Sequence, residues 1–248
     1  MKLNKKFIII IPARLASTRL PNKPLANILG KTMIRRVYEQ ALKAGIGEVY
    51  VACDGKEIAA EIESFGGKAI ITNPDLHSGT DRVFAALKDI DKLNEFEVII
   101  NLQGDLPAVD PEVIRSAASA LIESNADIAT VASIIKEKNE ILDPNVVKAV
   151  ISFDRTKDLG NALYFSRSAI PYNADKYYHH IGIYAYKKSA LEKFISLSPS
   201  KLEKTESLEQ LRALENSMKI AVRIVDSYPL SVDTKEDLEE IKRVINNS

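Results

Sequence analysis

At 248 residues, with 46% hydrophobic and 27% charged side chains, the chain is long enough to bury a substantial core and too mixed to be a fibre or a disordered tail. Its 34 Lys and Arg are matched by 34 Asp and Glu, a balance that excludes a basic nucleic-acid wrapper and a polybasic membrane binder. The lone Cys53 excludes an internal disulfide framework and a multi-cysteine zinc site, and fits a reducing, cytoplasmic setting.

The opening apolar run Phe7-Ile8-Ile9-Ile10-Ile11 is far shorter than the ~20 residues a bilayer span needs, so it reads as a buried strand. Glu48 to Ala52, Lys68 to Thr72 and Val98 to Leu102 are similar β-branched runs with little alternation, the mark of parallel strands covered on both faces. Between them, Met33, Ile34, Val37, Tyr38, Ala41 and Leu42 keep helical spacing and stop at Gly45; Ile58, Ala59, Ile62 and Phe65 do the same before Gly66-Gly67. A third helix is predicted from Ser78, with Val83, Phe84 and Leu87 inward, and a fourth begins at Asp110-Pro111-Glu112. In the second half, Asp127 to Ile135, Val146 to Phe153, Ala162 to Phe165 and Ile181 to Tyr186 read as strands with few helices between. A helix from Glu206 to Glu215, a strand from Ala221 to Val225 and a closing helix through Leu238, Ile241, Val244 and Ile245 follow. The expected fold class is α/β: one domain with a mainly parallel central sheet, helices on both faces and a β-rich insertion, residues 1–125 forming one half and 126–248 the other.

Sheets of this kind bind ligands at the carboxyl ends of their strands, so the loops there carry the chemistry. The first, Pro12 to Pro24, has neither a dinucleotide fingerprint nor a P-loop. It places Arg14, Arg19 and Lys23 in a short stretch stiffened by prolines, which suits a polyanion such as a triphosphate and equally a solvated basic loop. Asn101-Leu102-Gln103-Gly104-Asp105 ends the fourth strand, and Asp105 there is either a ligand for phosphate-bound Mg²⁺ or a turn residue bonding its own backbone. Near the end, Thr234 is the predicted cap of the last helix with Asp237 three residues on; Asp233 is a second metal ligand or part of that cap, and the cap is the safer reading.

A series of motifs then occurs in order along nearly the whole chain: Ile10-Ile11-Pro12-Ala13-Arg14, Ser17-Thr18-Arg19-Leu20-Pro21 with Lys23-Pro24, His77-Ser78-Gly79-Thr80-Asp81-Arg82, Gln103-Gly104-Asp105, Pro144-Asn145 with Val147-Lys148, Tyr164-Phe165-Ser166-Arg167, His180-Ile181-Gly182-Ile183-Tyr184, Leu208-Glu209-Gln210-Leu211-Arg212 and Val232-Asp233-Thr234. This series resembles the 3-deoxy-manno-octulosonate (Kdo) cytidylyltransferases. The resemblance implies a nucleotide-diphospho-sugar transferase-like fold and transfer of a cytidylyl group from CTP to the anomeric hydroxyl of Kdo, releasing pyrophosphate and activating the sugar for lipopolysaccharide synthesis. It also implies Mg²⁺ as cofactor and a cytoplasmic homodimer, with neither nucleic acid nor membrane as partner.

By the same resemblance, Arg14 and Lys23 hold the triphosphate with Arg19 assisting, beside Ala13, and Asp105 and Asp233 are the catalytic Mg²⁺ ligands, which must then converge to within about 10 Å. Ser78, Gly79 and Thr80, with Gln103 nearby, resemble the turn that reads cytosine, although Ser78 or Thr80 also suits a helix cap. Arg167 is placed to pair the sugar carboxylate, and His180, Tyr184, Glu209 and Gln210 resemble the hydroxyl-binding set. The family loop usually reads Q-G-D-E-P, and Leu106 takes its acidic place here; the stretch between Tyr172 and His179 is also shorter than in many relatives. Two alternatives stay open: a cytidylyltransferase for another acidic sugar, such as an amino-substituted Kdo or a sialic acid, and a non-catalytic nucleotide-binding protein. The presence of both Asp105 and Asp233 speaks against the second.

Overall fold

The computed structural model describes residues 6–17, 19–153 and 158–247; Thr18 of the basic-loop motif lies outside the described residues. The chain divides into two compact units, one formed by Met1–Arg115 with Pro229–Ser248 and the other by Ser116–Tyr228. The boundary expected between 125 and 126 thus falls earlier, and the last twenty residues return to the first unit.

In the first unit, β1 (Phe7–Ala13), β4 (Glu48–Cys53), β5 (Ala69–Ile71) and β6 (Val98–Leu102) lie in the order β5-β4-β1-β6. All three pairings are parallel, with Ile9 opposite Val49 on one side and Ile100 on the other. Every residue of β1 is buried, which is why its sequence is an unbroken apolar run instead of an alternating one. A short hairpin of β2 (Asn27–Ile28) and β3 (Lys31–Thr32) leads into α1 (Met33–Ala44). Thr32 caps α1 by accepting from the Arg35 N–H, and Gly45 ends it at φ 64°, a left-handed turn that glycine adopts without strain. The other helices are α2 (Lys56–Ser64), α3 (Gly79–Ile90), α4 (Pro111–Glu123), in which the division between the units falls, and the terminal α9 (Lys235–Asn246).

The second unit is mixed. Its strands β7 (Ile128–Ile134), β8 (Lys148–Phe153), β9 (Leu159–Ser166), β10 (Tyr178–Lys187) and β11 (Ile220–Ile224) lie in the order β10-β7-β11-β9-β8, with one further β8–β10 pairing that curls the sheet. Only β7 with β11 is parallel; β7–β10, β9–β11 and β8–β9 are antiparallel. A mainly parallel sheet therefore describes the first unit alone. Helices are also more frequent here than expected: α5 (Lys138–Leu142) and α6 (Lys188–Ser196) were not anticipated. The helix expected over 206–215 is two short ones, α7 (Lys201–Glu206) and α8 (Gln210–Glu215), broken at Ser207, whose φ of 54° no helix interior accepts. Among the described residues no helix is long and apolar enough to cross a membrane.

Candidate active site

In the first unit, the loops that leave β1, β5 and β6 meet the entrance of α9 around a cleft of about 380 Å³, a volume suited to a small ligand. Gly104 makes the meeting possible. A Cβ there would stand 2.9 Å from the Pro12 carbonyl oxygen, so only glycine lets the Asp105 loop pass β1. The entrance of α9 is brought in by packing: Val232 and Ile241, both fully buried, join Leu20, Ile28 and Met33 in one cluster. Each such side chain contributes about 1.5–3 kcal/mol, and the Val232 N–H then donates to the Asp105 carbonyl at 2.9 Å.

Two carboxylates from opposite ends of the chain converge as a result. Lys23, at the start of a 3₁₀ turn (Lys23–Leu25) made rigid by Pro24, donates from Nζ to Asp105 Oδ2 at 3.0 Å and to Asp233 Oδ1 at 2.9 Å. The two oxygens can be no farther apart than the sum of those distances, about 6 Å. Desolvation works to lower the Lys23 pKa, but Asp105 and Asp233 outweigh it and hold the ammonium above its ordinary value. The more exposed Arg19 also reaches Asp233, at 3.1 Å. Asp233 is not the cap of α9. Thr234 Oγ1 accepts from the Asp237 N–H, and Asp237 Oδ2 accepts from the N–H groups of Asp233 and Thr234, so Asp237 completes the capping box and leaves the Asp233 carboxylate free to face Lys23.

The opposite wall has a neutral stretch, Ser78, Gly79 and Gln103, beside the charged Arg82. Ser78 caps α3 in a second capping box, its Oγ accepting from the Asp81 N–H at 3.0 Å, and Gly79 and Gln103 line the cleft beside it. Ala13 and the exposed Arg14 also line it; the Leu15 N–H donates to Asp54 Oδ1 at 3.0 Å and fastens the Arg14 loop to the residue after β4. Thr80 does not line the cleft. It is buried, with Oγ1 accepting from Asn101 Nδ2 at 3.2 Å. Leu106 is buried too and brings no charge in place of the family's acidic residue. Arg82, which stands in the His77-to-Arg82 motif without a role of its own, also lines the cleft: it donates to Thr72 Oγ1 at 2.6 Å and to the Asn73 carbonyl at 3.2 Å, holding the 72–77 loop against α3. Its signal was a charged residue among the inward positions Thr80, Val83 and Ala86 of that helix.

The remaining expected residues lie in the second unit. His180 is buried, with Nε2 3.1 Å from Thr130 Oγ1. Thr130 has one proton and two carbonyls in reach, Ile181 and Ile183, so its oxygen is the acceptor for the imidazole N–H and Nδ1 remains an acceptor. Burial, helped by His179, pulls the His180 pKa down to about 3, and the ring is neutral. Tyr184 lies tilted against His180 with ring centroids 5.4 Å apart, just after a register shift in β10; burial first, then Tyr186 and Glu209, raise its phenol well above the ordinary value. Gln210, next to Glu209, keeps Nε2 buried with no hydrogen-bond partner among the described residues, an orphan donor of the kind a bound hydroxyl satisfies. Arg167 is partly engaged. Its guanidinium already donates to the carbonyls of Glu206, Pro144 and Ser207 and so clamps two loops, with two of its five N–H groups left over for a carboxylate. Beside it Lys148, fully buried, gives its Nζ to the carbonyls of Asp143, Val146 and Arg167.

A family profile described as Cytidylyltransferase matches residues 8–220. The 3-deoxy-manno-octulosonate cytidylyltransferase of Bartonella henselae is 51% identical over 238 residues, covering 96% of this chain and 98% of its own. That of Paramagnetospirillum magneticum is 48% identical over 238 residues, covering 96% and 97%. A solved structure of CMP:2-keto-3-deoxy-manno-octonic acid synthetase complexed with CTP superposes with a TM-score of 0.90 at 38% identity, over 98% of this chain and 99% of that one. A cleft lined by Arg14, Arg19, Lys23 and Arg82 with two converging carboxylates, on a chain this similar from end to end, places it in the 3-deoxy-manno-octulosonate cytidylyltransferase family.

Proposed function

We propose that the chain transfers a cytidylyl group from CTP to the anomeric hydroxyl of Kdo, with release of pyrophosphate. The observation that carries this is the first unit's cleft, where a neutral stretch of wall suited to a base adjoins a cationic end suited to a triphosphate, in a chain about half identical to named Kdo cytidylyltransferases. The sugar hydroxyl gives up its proton to solvent and its oxygen forms a bond to the α-phosphorus as the bond to the pyrophosphate oxygen breaks, so charge grows on phosphate oxygens and fixed cations are what the reaction needs. Arg14, Arg19 and Lys23 supply them. Lys23, bonded to both carboxylates, turns to a phosphate oxygen when nucleotide binds and leaves Asp105 and Asp233 to a cation.

Two carboxylate oxygens within about 6 Å form a hard, oxygen-only donor pair that suits Mg²⁺ completed by substrate oxygens. When bound by Asp105 and Asp233, the ion offsets phosphate charge and lowers the pKa of a coordinated hydroxyl. In the second unit, His180 Nδ1 accepts from a sugar hydroxyl, and the orphan Gln210 amide donates to one, with Tyr184 and Glu209 beside them. Such a set discriminates strongly against sugars lacking the matching hydroxyl. The product feeds lipopolysaccharide synthesis, and exposed Ile134 and Leu163 on the second unit's strands suit a homodimer, checked by sedimentation. The test of the activity is pyrophosphate release with CTP, Mg²⁺ and a panel of acidic sugars. Turnover with Kdo above amino-substituted Kdo and sialic acid is the expected result; no release with any of them refutes the proposal.

A further inference from the structure

Asn101 lies in β6 and Gln103 is the first residue beyond it, and their side chains meet at the strand's end. Gln103 Nε2 donates to Asn101 Oδ1 at 3.0 Å, and Asn101 Nδ2 donates in turn to Thr80 Oγ1 at 3.2 Å. Asn101 and Thr80 are each only 1% exposed, so this relay runs inward, away from solvent. A glutamine amide has two distinct ends, and fastening its NH₂ inward leaves its carbonyl oxygen on the cleft side. The geometry agrees: Gln103 Oε1 lies 3.5 Å from the point where a Cβ on Gly79 would stand, and both residues line the cleft.

This stretch of wall is neutral, made by Pro12, Ser78, Gly79 and Gln103, and is the part suited to a base. An acceptor fixed outward there pairs with a ring amino group and opposes a ring carbonyl. Cytosine carries an amino group where uracil carries a carbonyl, and the two rings are otherwise nearly isosteric, so the orientation of one amide decides between them. We propose that Asn101, anchored by Thr80, is a positioning residue that fixes the Gln103 carbonyl toward the cleft and thereby selects an aminopyrimidine nucleotide over an oxopyrimidine one. The inference rests on the cytidylyl-transfer reading. Without Asn101 the Gln103 amide can turn end for end and offer its NH₂ to the uracil carbonyl, so discrimination is lost without loss of binding as such.

The experiment measures CTP and UTP affinity by calorimetry, and kcat/KM with each nucleotide, for wild type, Asn101→Leu, Asn101→Asp, Thr80→Val and Gln103→Leu. Asn101→Leu is expected to narrow the CTP-to-UTP ratio by about tenfold or more, the scale of one mispaired polar group. Asn101→Asp still accepts from Gln103 Nε2 but loses the donor to Thr80, so it narrows the ratio only partway. Thr80→Val, of nearly equal size, loosens the far anchor and narrows the ratio partway, which keeps the test open if Asn101→Leu does not fold. Gln103→Leu narrows the ratio as far as Asn101→Leu, and combining the two adds nothing. Equal loss of both nucleotides with the ratio intact in Asn101→Leu and Thr80→Val makes Asn101 ordinary structural support and overturns the proposal. A ratio that survives Gln103→Leu overturns it while leaving cytidylyl transfer standing, whereas a wild type indifferent to CTP and UTP defeats the functional reading itself.

Discussion

Replacing Lys23 by Met tests the electrostatics of the cleft directly. The substitution keeps most of the apolar stem and removes an ammonium that donates to Asp105 at 3.0 Å and Asp233 at 2.9 Å. The three side chains are 18%, 27% and 33% exposed, between a surface ion pair worth at most about 1 kcal/mol and a buried one whose breaking costs about 3–5 kcal/mol, so a loss of about 2 kcal/mol is expected. In a chain of this length that is about 4–8 °C in melting temperature. The loss comes from two carboxylate oxygens left within about 6 Å of each other, with Arg19 still on Asp233. A divalent cation relieves the same repulsion. Adding Mg²⁺ without nucleotide should therefore raise the melting temperature of Lys23→Met clearly and that of wild type little, because in wild type the ion must displace the ammonium; stabilisation of about 2.7 kcal/mol is reached at 100 times the dissociation constant. The assay is scanning calorimetry in chelator and in millimolar Mg²⁺. Equal melting of the two proteins in chelator, or an equal response to Mg²⁺, refutes the reasoning.

Two further predictions follow from groups already placed. His180 and His179 have folded pKa values of about 3 and about 4, below the ordinary 6.5, so the unfolded chain takes up their protons first: stability is unaffected above about pH 6.5 and falls as the pH drops toward about 4, by up to about 1.4 kcal/mol per pH unit for each histidine. Urea midpoints between pH 6.5 and 4.5 should decline about half as steeply from this source in His180→Asn, and an unchanged slope refutes the assignment. Gly104→Ala places a Cβ 2.9 Å from the Pro12 carbonyl, backbone that cannot swing aside, and should cut pyrophosphate release by about tenfold or more through displacement of Asp105. The strain should cost only about 1–3 kcal/mol of stability; wild-type turnover in this variant means the loop has other room.

The first unit was legible because its signals are local: unbroken apolar runs for strands covered on both faces, and a glycine at φ 64° to stop α1. The hairpin before α1 was not, because its turn puts Leu29 at φ 49° ahead of Gly30, and leucine carries no sequence signal for the left-handed region. Ser207 hid the break between α7 and α8 for the same reason. Helix α6 begins at Lys188 without a side-chain cap, so no start signal marked it. Within the site, the motifs identified which residues matter but not how they are engaged. Arg167 looks in sequence like an open cation, and only the folded backbone shows that three carbonyls hold it.

The pairing at Lys23 shows where local reading stops. Its two partners lie 82 and 210 positions away, beyond any spacing rule, and nothing in Ser231 to Thr234 distinguishes a metal ligand from a cap. What decides it is a packing event: burying Val232 and Ile241 against Leu20, Ile28 and Met33 returns the tail to the first unit. With the tail in place, Asp237 takes the capping role and turns Asp233 toward Lys23. The site's charge geometry is thus a product of a small apolar cluster that contains none of its charged residues, and substitutions in that cluster should loosen the carboxylate pair before they unfold the sheet.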